Sequence, residues 1–175
     1  MGHSARSLNR TLRLHSLLMP GITALIHTHN DRLRIGRCLE TLYPCDDILI
    51  IDHGSDDGTL RVANEYGARI AQEDRVAAEG LGRFAAGRKW ILCLDARESL
   101  TESLAASLYE WKTESPTQSA FAMFIREETV AGWIENPTPQ TRLVPAAWNH
   151  WQGNLPAYEG SACTLEGDVL RFVLP

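Results

Sequence analysis

The stretch Ile48-Leu49-Ile50-Ile51-Asp52-His53-Gly54-Ser55-Asp56-Asp57-Gly58-Thr59 decides the fold. Its unbroken branched aliphatics suit a strand buried on both faces, which is usually a parallel strand covered by helices. The run ends in an acid, Asp52, and passes through a Gly/Ser/Asp turn into a helical pattern from Thr59 to Tyr66. An acid at the carboxyl end of such a strand points into the crevice where open α/β sheets bind ligands. Ser55 is placed to cap the helix, and Asp56 and Asp57 complement its dipole. A βα turn with no role beyond folding is the competing reading.

Working outward, Gly67 sits where a left-handed helix cap belongs, and Ala68–Ala71 follows as a short strand. Upstream, Ile22–Ile26 reads as the first strand, with His27-Thr28-His29-Asn30 as its exit turn. Asn30 or Asp31 caps a helix whose apolar positions Ile35, Cys38, Leu39 and Leu42 recur at helical spacing, and Pro44 ends it. Downstream, Trp90–Asp95 is a second buried strand ending in an acid. Ser99-Leu100-Thr101-Glu102 has the form of a capping box, and Leu104, Leu108 and Trp111 form one face of the helix behind it.

Thus residues 1–112 read β-α-β-α-β-(α)-β-α, a parallel sheet with right-handed crossovers. Residues 73–89 are the least readable part. The last third loses its helices: Ser119–Glu127, Val130–Ile134, Thr141–Val144 and Leu165–Val173 read as strands of an antiparallel extension.

The 175 residues suit one domain, 21–175, behind a basic extension at 1–20 that carries Arg6, Arg10 and Arg13. A net charge of −5 argues against a protein built to grip nucleic acid. No apolar run reaches the ~18 residues of a membrane span, which leaves peripheral membrane contact open. Cys38, Cys45, Cys93 and Cys163 form no CxxC pair and read as reduced thiols of a cytoplasmic protein rather than disulfides or a zinc site.

Asp52 and Asp95, each ending a strand of one parallel sheet, share an edge. One acid can accept hydrogen bonds from a ribose or base, and the other can hold a divalent cation against a diphosphate. In these features the sequence resembles the inverting glycosyltransferases of family 2, with the GT-A fold. Ile22–Asn30 looks like that family's opening strand and nucleotide-contacting turn. The segment 52–59 is similar to its Asp-x-Gly-Ser-x-Asp-Gly-Thr signature, and 90–98 to the segment carrying its metal-binding Asp-x-Asp. The nearest subgroup adds sugars to lipopolysaccharide core, and Arg142-Leu143 and Tyr158-Glu159 faintly echo its later part.

The resemblance implies a GT-A-like, Rossmann-type, mostly parallel sheet flanked by helices, with a C-terminal antiparallel extension. It implies inverting transfer of a sugar from a nucleotide-diphosphate sugar to an acceptor hydroxyl, in cell-surface polysaccharide or lipopolysaccharide synthesis. The acceptor would be a glycan or lipid-linked, met at the inner face of the membrane. Carried over by position, Thr28, Asn30, Asp52 and Arg83 contact the nucleotide. Asp95 faces the metal, and Asp95, Arg97 and Glu98 face the diphosphate. Glu159 is the base. The segment departs from the family at Asp95-Ala96-Arg97-Glu98, where arginine replaces the second metal acid. Mg²⁺ or Mn²⁺ is therefore expected to bind weakly or not at all.

His27, His29 and His53 fall just after the first two strands and should gather near the crevice, as turn histidines or as ligands of a metal or phosphate. Trp133, Trp148 and Trp151 either pack the extension or floor a sugar site. Two further readings stay open: a degenerate module that binds a nucleotide or partner without catalysis, and a nucleotidyltransferase. The first turn lacks the Gly-rich basic loop that the latter needs.

Overall fold

The computed structural model describes residues 19–80, 89–114 and 117–173. β1 (Ile22–Thr28), β2 (Asp47–Asp52), β3 (Arg69–Gln72) and β4 (Trp90–Asp95) form the parallel half of a sheet, in spatial order β3-β2-β1-β4. The chain steps outward from β1 to β3 and then returns to the other side of β1. That places the topological switch point between β1 and β4, where crevices open in such sheets. The register brings Thr28 level with Asp52, and His27 level with Asp95.

Residues alternate between two cores. Ile22, Ala24, Ile26, Ile50, Leu92 and Leu94 face α1 (Ile35–Glu40), α2 (Thr59–Glu65) and α4 (Glu102–Thr113). Leu25, Leu49, Ile51, Ile91 and Cys93 face the other way, against Val76 of α3 (Glu73–Glu79) and against Trp148, Trp151 and Leu155. Burial on both faces explains why β1, β2 and β4 read as continuous apolar runs.

β4 continues the sheet through β8 (Gln140–Pro145), β6 (Phe121–Thr129), β11 (Cys163–Arg171) and β5 (Glu98–Leu100), while β7 (Gly132–Glu135) forms a hairpin on β6. A separate hairpin joins β9 (Trp151–Gln152) and β10 (Leu155–Pro156). The α/β arrangement expected from the sequence, parallel strands flanked by helices and then an extension of the sheet, is the one adopted. Within its extension, β6 and β11 pair in parallel, between antiparallel partners on either side.

Local signals moved by a few residues where tertiary pairing competed for them. Ser99 and Leu100 are drawn into β5, opposite Leu170 and Val169, so the cap of α4 is Thr101, whose hydroxyl accepts from Leu104 N–H. The same hydroxyl donates to the Asp168 carbonyl and accepts from Asp168 N–H, tying α4 to β11. The approach is tight: a Cβ on Gly167, whose φ is +93°, would lie 2.2 Å from Leu104 N. Gly58 rather than Ser55 caps α2, and α1 starts at Ile35 without a side-chain cap, because Asp31 is bonded within its own loop and Ser55 and Asp57 tie the two loops together. α1 also stops at Glu40, four residues before Pro44. Gly67 is left-handed, φ +71°, as expected.

Candidate functional site

Two loops leave the carboxyl ends of β1 and β2 and are stitched together. Asn30 N–H donates to Ser55 Oγ (3.0 Å), Asp56 N–H to Asn30 Oδ1 (2.9 Å) and Arg32 N–H to Asp57 Oδ2 (3.1 Å). Asn30 pays for this with a left-handed backbone, φ +56°. Within the first loop, Asp31 accepts from Thr28 Oγ1 and His29 N–H.

Asp52, 2% exposed, ends β2 beneath this pair and accepts from the N–H groups of Gly54 and Ser55. Burial opposes its charge. Hydrogen bonds from the Ser55 side chain and backbone, Gly54 and the Gln72 side chain outweigh that and hold the carboxyl below its ordinary value. Thr28 is likewise buried and turned onto Asp31. Of the residues expected to contact a nucleotide, Asn30 is the exposed one on this rim. Arg83 lies outside the described residues.

The histidines do gather. His27 Nδ1 and His53 Nε2 share a hydrogen bond of 2.9 Å, His53 Nδ1 meets Glu73 Oε2 at 2.7 Å, and His29 Nδ1 donates to the His53 carbonyl at 2.9 Å. Sequence reading had no signal for Glu73, which joins them because β3 ends level with β2. Burial first, then neighbouring His53, pushes the His27 pKa down to about 4, with Glu73 pulling partly back. His27 and Glu73 also border a cavity of about 330 Å³ on the second face of the sheet, with Leu25, Ile51, Val76 and Trp151.

The turn after β4 divides its acids. Asp95 is exposed, and its Oδ1 accepts from Arg97 N–H at 2.9 Å. Arg97 is also exposed. Glu98 is 0% exposed and turned inward: Arg142 grips it bidentately at 2.9 Å on each oxygen, Arg171 adds contacts at 2.8 and 3.1 Å, and Asp95 N–H donates at 2.9 Å. Arg142 is itself fully buried and also donates to the Cys93 and Gln140 oxygens. Glu98 is thus an anchor of the interior, away from the crevice wall.

This bears on a metal. Among the described residues no group of three His, Cys, Asp or Glu side chains is arranged to hold an ion. At the β4 edge the residues supply one solvent-facing carboxylate, Asp95, beside a guanidinium, and that donor set does not fit a protein-held divalent cation. The four cysteines are free thiols, with burial pushing Cys45 and Cys93 up to about 12.

Glu159 lies in the loop before β11. Its N–H donates to Thr141 Oγ1 at 2.9 Å, and its Oε1 accepts from the Ser161 hydroxyl and N–H at 2.7 and 3.1 Å. Those Ser161 bonds hold the carboxyl below its ordinary value. β8 runs antiparallel to β4 with Leu143 opposite Leu92, so Thr141, two residues on, carries Glu159 toward the exit of β4. Its neighbours Thr141 and Tyr158 line a cavity of about 540 Å³, together with Asn136, Gln140, Arg142 and Gln152. Trp148 and Trp151 pack on the second core, whereas Trp133 stands edge-on to Phe172 with centroids 5.2 Å apart.

No family model matches the chain. It is 31% identical over 97 residues to the lipopolysaccharide core biosynthesis glycosyltransferase LpsC of Rhizobium meliloti, covering 51% of this chain and 36% of that protein. It is 31% identical over 90 residues to an uncharacterized glycosyltransferase of Rickettsia felis, covering 49% and 32%. It is 35% identical over 112 residues to a TPR repeat-containing protein of Synechococcus elongatus, covering 61% and 26%. The chain therefore spans about a quarter to a third of the length of these curated relatives. Among solved structures, the glucosyl-3-phosphoglycerate synthase of Mycobacterium tuberculosis, in complex with Mn²⁺, uridine diphosphate and glucosyl-3-phosphoglycerate, matches with a TM-score of 0.47 at 16% identity. That match covers 66% of this chain and 46% of that one. TarS of S. aureus matches with a TM-score of 0.48 at 17% identity over 73% and 28%. In sequence, this chain resembles glycosyltransferases, an enzyme of lipopolysaccharide core synthesis among them.

Proposed function

We propose that this chain is the donor-binding α/β part of a family 2 glycosyltransferase. It would move a sugar, with inversion, from a nucleotide-diphosphate sugar to a hydroxyl of a glycan or lipid-linked acceptor. The observation that carries this reading is the edge itself: the Asn30 loop, Asp52 and Asp95 stand at the ends of adjacent parallel strands, across the switch point between β1 and β4. The nucleotide lies over the stitched loops at Asn30, with Asp52 presenting the rim from beneath. The diphosphate lies toward Asp95 and Arg97. The likeness to a lipopolysaccharide core enzyme supports a role in cell-envelope synthesis, at the cytoplasmic face of the membrane.

Inverting transfer is one in-line displacement, so it needs a base for the acceptor hydroxyl and positive charge for the leaving diphosphate. Glu159, ionised at neutral pH and anchored to Thr141 of the cavity wall, takes the proton. Arg97 offsets charge on the leaving group where the family has a second metal acid.

One observation favours a second reading, a nucleotide-binding module without turnover. Glu98 is wholly committed to Arg142 and Arg171, which leaves Asp95 as the lone outward acid of the turn. A panel of uridine and guanosine diphosphate sugars, assayed for sugar transfer and nucleotide affinity, separates the two. Transfer that Glu159→Gln abolishes supports the enzyme. Binding without transfer supports the module. Absence of nucleotide binding removes both.

A further inference from the structure

A cavity of about 240 Å³ lies where the parallel half of the sheet meets the extension, and its walls carry Arg34, Arg37 and Arg97. Asn30, Ser99 and Phe172 complete much of the lining, and the acids present are Asp57 and Glu128. Asp57 is occupied, accepting from Arg32 N–H and from the Thr59 N–H and hydroxyl. None of the three guanidiniums is ion-paired with a described residue. Elsewhere in the molecule, arginines facing carboxylates pair with them, as Arg69 does with Asp47 and Arg171 with Glu98.

The wall is held in place from behind. The Arg37 guanidinium carbon sits 4.0 Å over the Phe172 ring, Ser99 Oγ donates to the Arg37 carbonyl, and Phe172 N–H donates to the Arg97 carbonyl. Trp133 braces the far side of Phe172. Stacking fixes the plane of a guanidinium, and a fixed planar fork suits the paired oxygens of phosphate better than a mobile ammonium does.

We infer that Arg34, Arg37 and Arg97 form a phosphate-recognition subsite that binds a phosphate-bearing ligand without a divalent metal. The choice of nucleotide probes rests on the glycosyltransferase reading, but the subsite does not require that sugar be transferred. The phosphate has two sources to be told apart, the diphosphate of a donor nucleotide and a phosphomonoester on a second substrate.

The test is calorimetric titration of the full chain at low ionic strength with chelator present. The probes are inorganic pyrophosphate, uridine diphosphate, glucose 6-phosphate and, as the phosphate-free control, uridine. Arg34→Gln, Arg37→Gln and Arg97→Gln should each weaken a phosphate-bearing probe tenfold or more and leave uridine unchanged. Arg61→Gln, outside the cavity, should change nothing. Melting curves establish that each variant is folded, and Arg37→Lys, which keeps the charge but loses the planar stack, should fall between wild type and Arg37→Gln. Losses confined to pyrophosphate and uridine diphosphate assign the cavity to the donor. Losses confined to glucose 6-phosphate assign it to a phosphorylated second substrate. The inference is overturned if no phosphate-bearing probe binds, or if all bind equally well to wild type and the three glutamine variants. Failure of sugar transfer alone, with arginine-dependent phosphate binding intact, would count against the catalytic reading and not against the subsite.

Discussion

Arg97 and Glu98 are neighbours in sequence and belong to different worlds. Glu98 is buried with Arg142 and also pairs with the half-buried Arg171, so one carboxylate holds two guanidiniums. Arg97, one step earlier, faces a cavity with Arg34 and Arg37, and there no described carboxylate pairs with any of the three. The inner set is closed chemically, its charges spent on each other and on backbone groups. The outer set is open: Phe172 stacking orients Arg37, and no described carboxylate neutralises any of the three charges. Buried ion pairs of the first kind fix structure, and unneutralised cations of the second kind await a partner from solution.

The sharpest way to break this comparison is to remove one member from each set. Arg142→Met leaves Glu98 without its bidentate partner in a site closed to water, and loss of one member of a buried pair costs about 3–5 kcal/mol. At roughly 2–4 °C per kcal/mol for a chain of this size, the melting temperature should fall by about 6–20 °C. Arg34→Gln should stay within about 0.5 kcal/mol of wild type, as surface substitutions do. Similar urea midpoints for the two variants would erase the distinction between closed and open sets.

The histidine cluster extends the contrast, since it is a half-buried polar set that pH can open. His27 titrates at about 4 in the folded protein against about 6.5 in an unfolded chain, so the unfolded state binds more protons between these values. Stability is therefore whole above pH 6.5 and is lost as pH falls toward 4, by about 3 kcal/mol in all. His53, His29 and Glu73 are the other titratable groups joined in this cluster. Urea melts of wild type and His27→Gln at pH 7 and pH 4.5 read the effect directly. A pH dependence that His27→Gln leaves intact would assign it to other groups.

The parallel half was legible because its signals are local and redundant. Buried aliphatic runs, a left-handed Gly67 and the apolar spacing of Ile35, Cys38, Leu39 and Leu42 all point one way. The extension was legible as strands but not as pairings, since β6 meets β11 across about forty residues and neither carries a mark of its partner. The candidate site was legible where backbone position decides it, as at Asp52 and Asp95. It was not legible where a side chain must choose among distant partners. In Asp95-Ala96-Arg97-Glu98 both acids and the arginine are expected to face the diphosphate, and only Arg142 and Arg171, 44 and 73 residues from Glu98, show which acid is withdrawn. Arg34 and Arg37 were missed for the same reason, because Phe172, which orients Arg37, is 135 residues away in sequence.

Asp52→Asn probes a residue that stands between the two kinds of set. Its carboxylate already accepts from Gly54 and Ser55, yet it ends the strand that borders the crevice. Asparagine keeps one acceptor oxygen for the turn and loses the charge, so the fold should persist while nucleotide binding weakens by about 1.5–3 kcal/mol, the worth of a charged hydrogen bond. Unchanged affinity in a variant with native melting behaviour would confine Asp52 to holding the turn.

The smallest expected effect is that of metal. If the open arginine set neutralises phosphate, a divalent cation has little left to add, and Arg97 beside Asp95 repels it. Asp95 is a single outward carboxylate, and Mg²⁺ or Mn²⁺ held by one protein oxygen would depend on the diphosphate for its remaining ligands. Donor-nucleotide affinity with excess Mn²⁺ should therefore exceed that with chelator by less than tenfold, about 1.4 kcal/mol. Arg97→Asp restores a second carboxylate two residues from the first and removes a cation, so metal dependence should appear in that variant. Arg97→Ala should weaken binding under both conditions, because it removes the guanidinium without supplying a metal ligand. A gain well above tenfold in wild type would mean that the cation and not the arginine carries the phosphate charge, and the open set would then need a different partner.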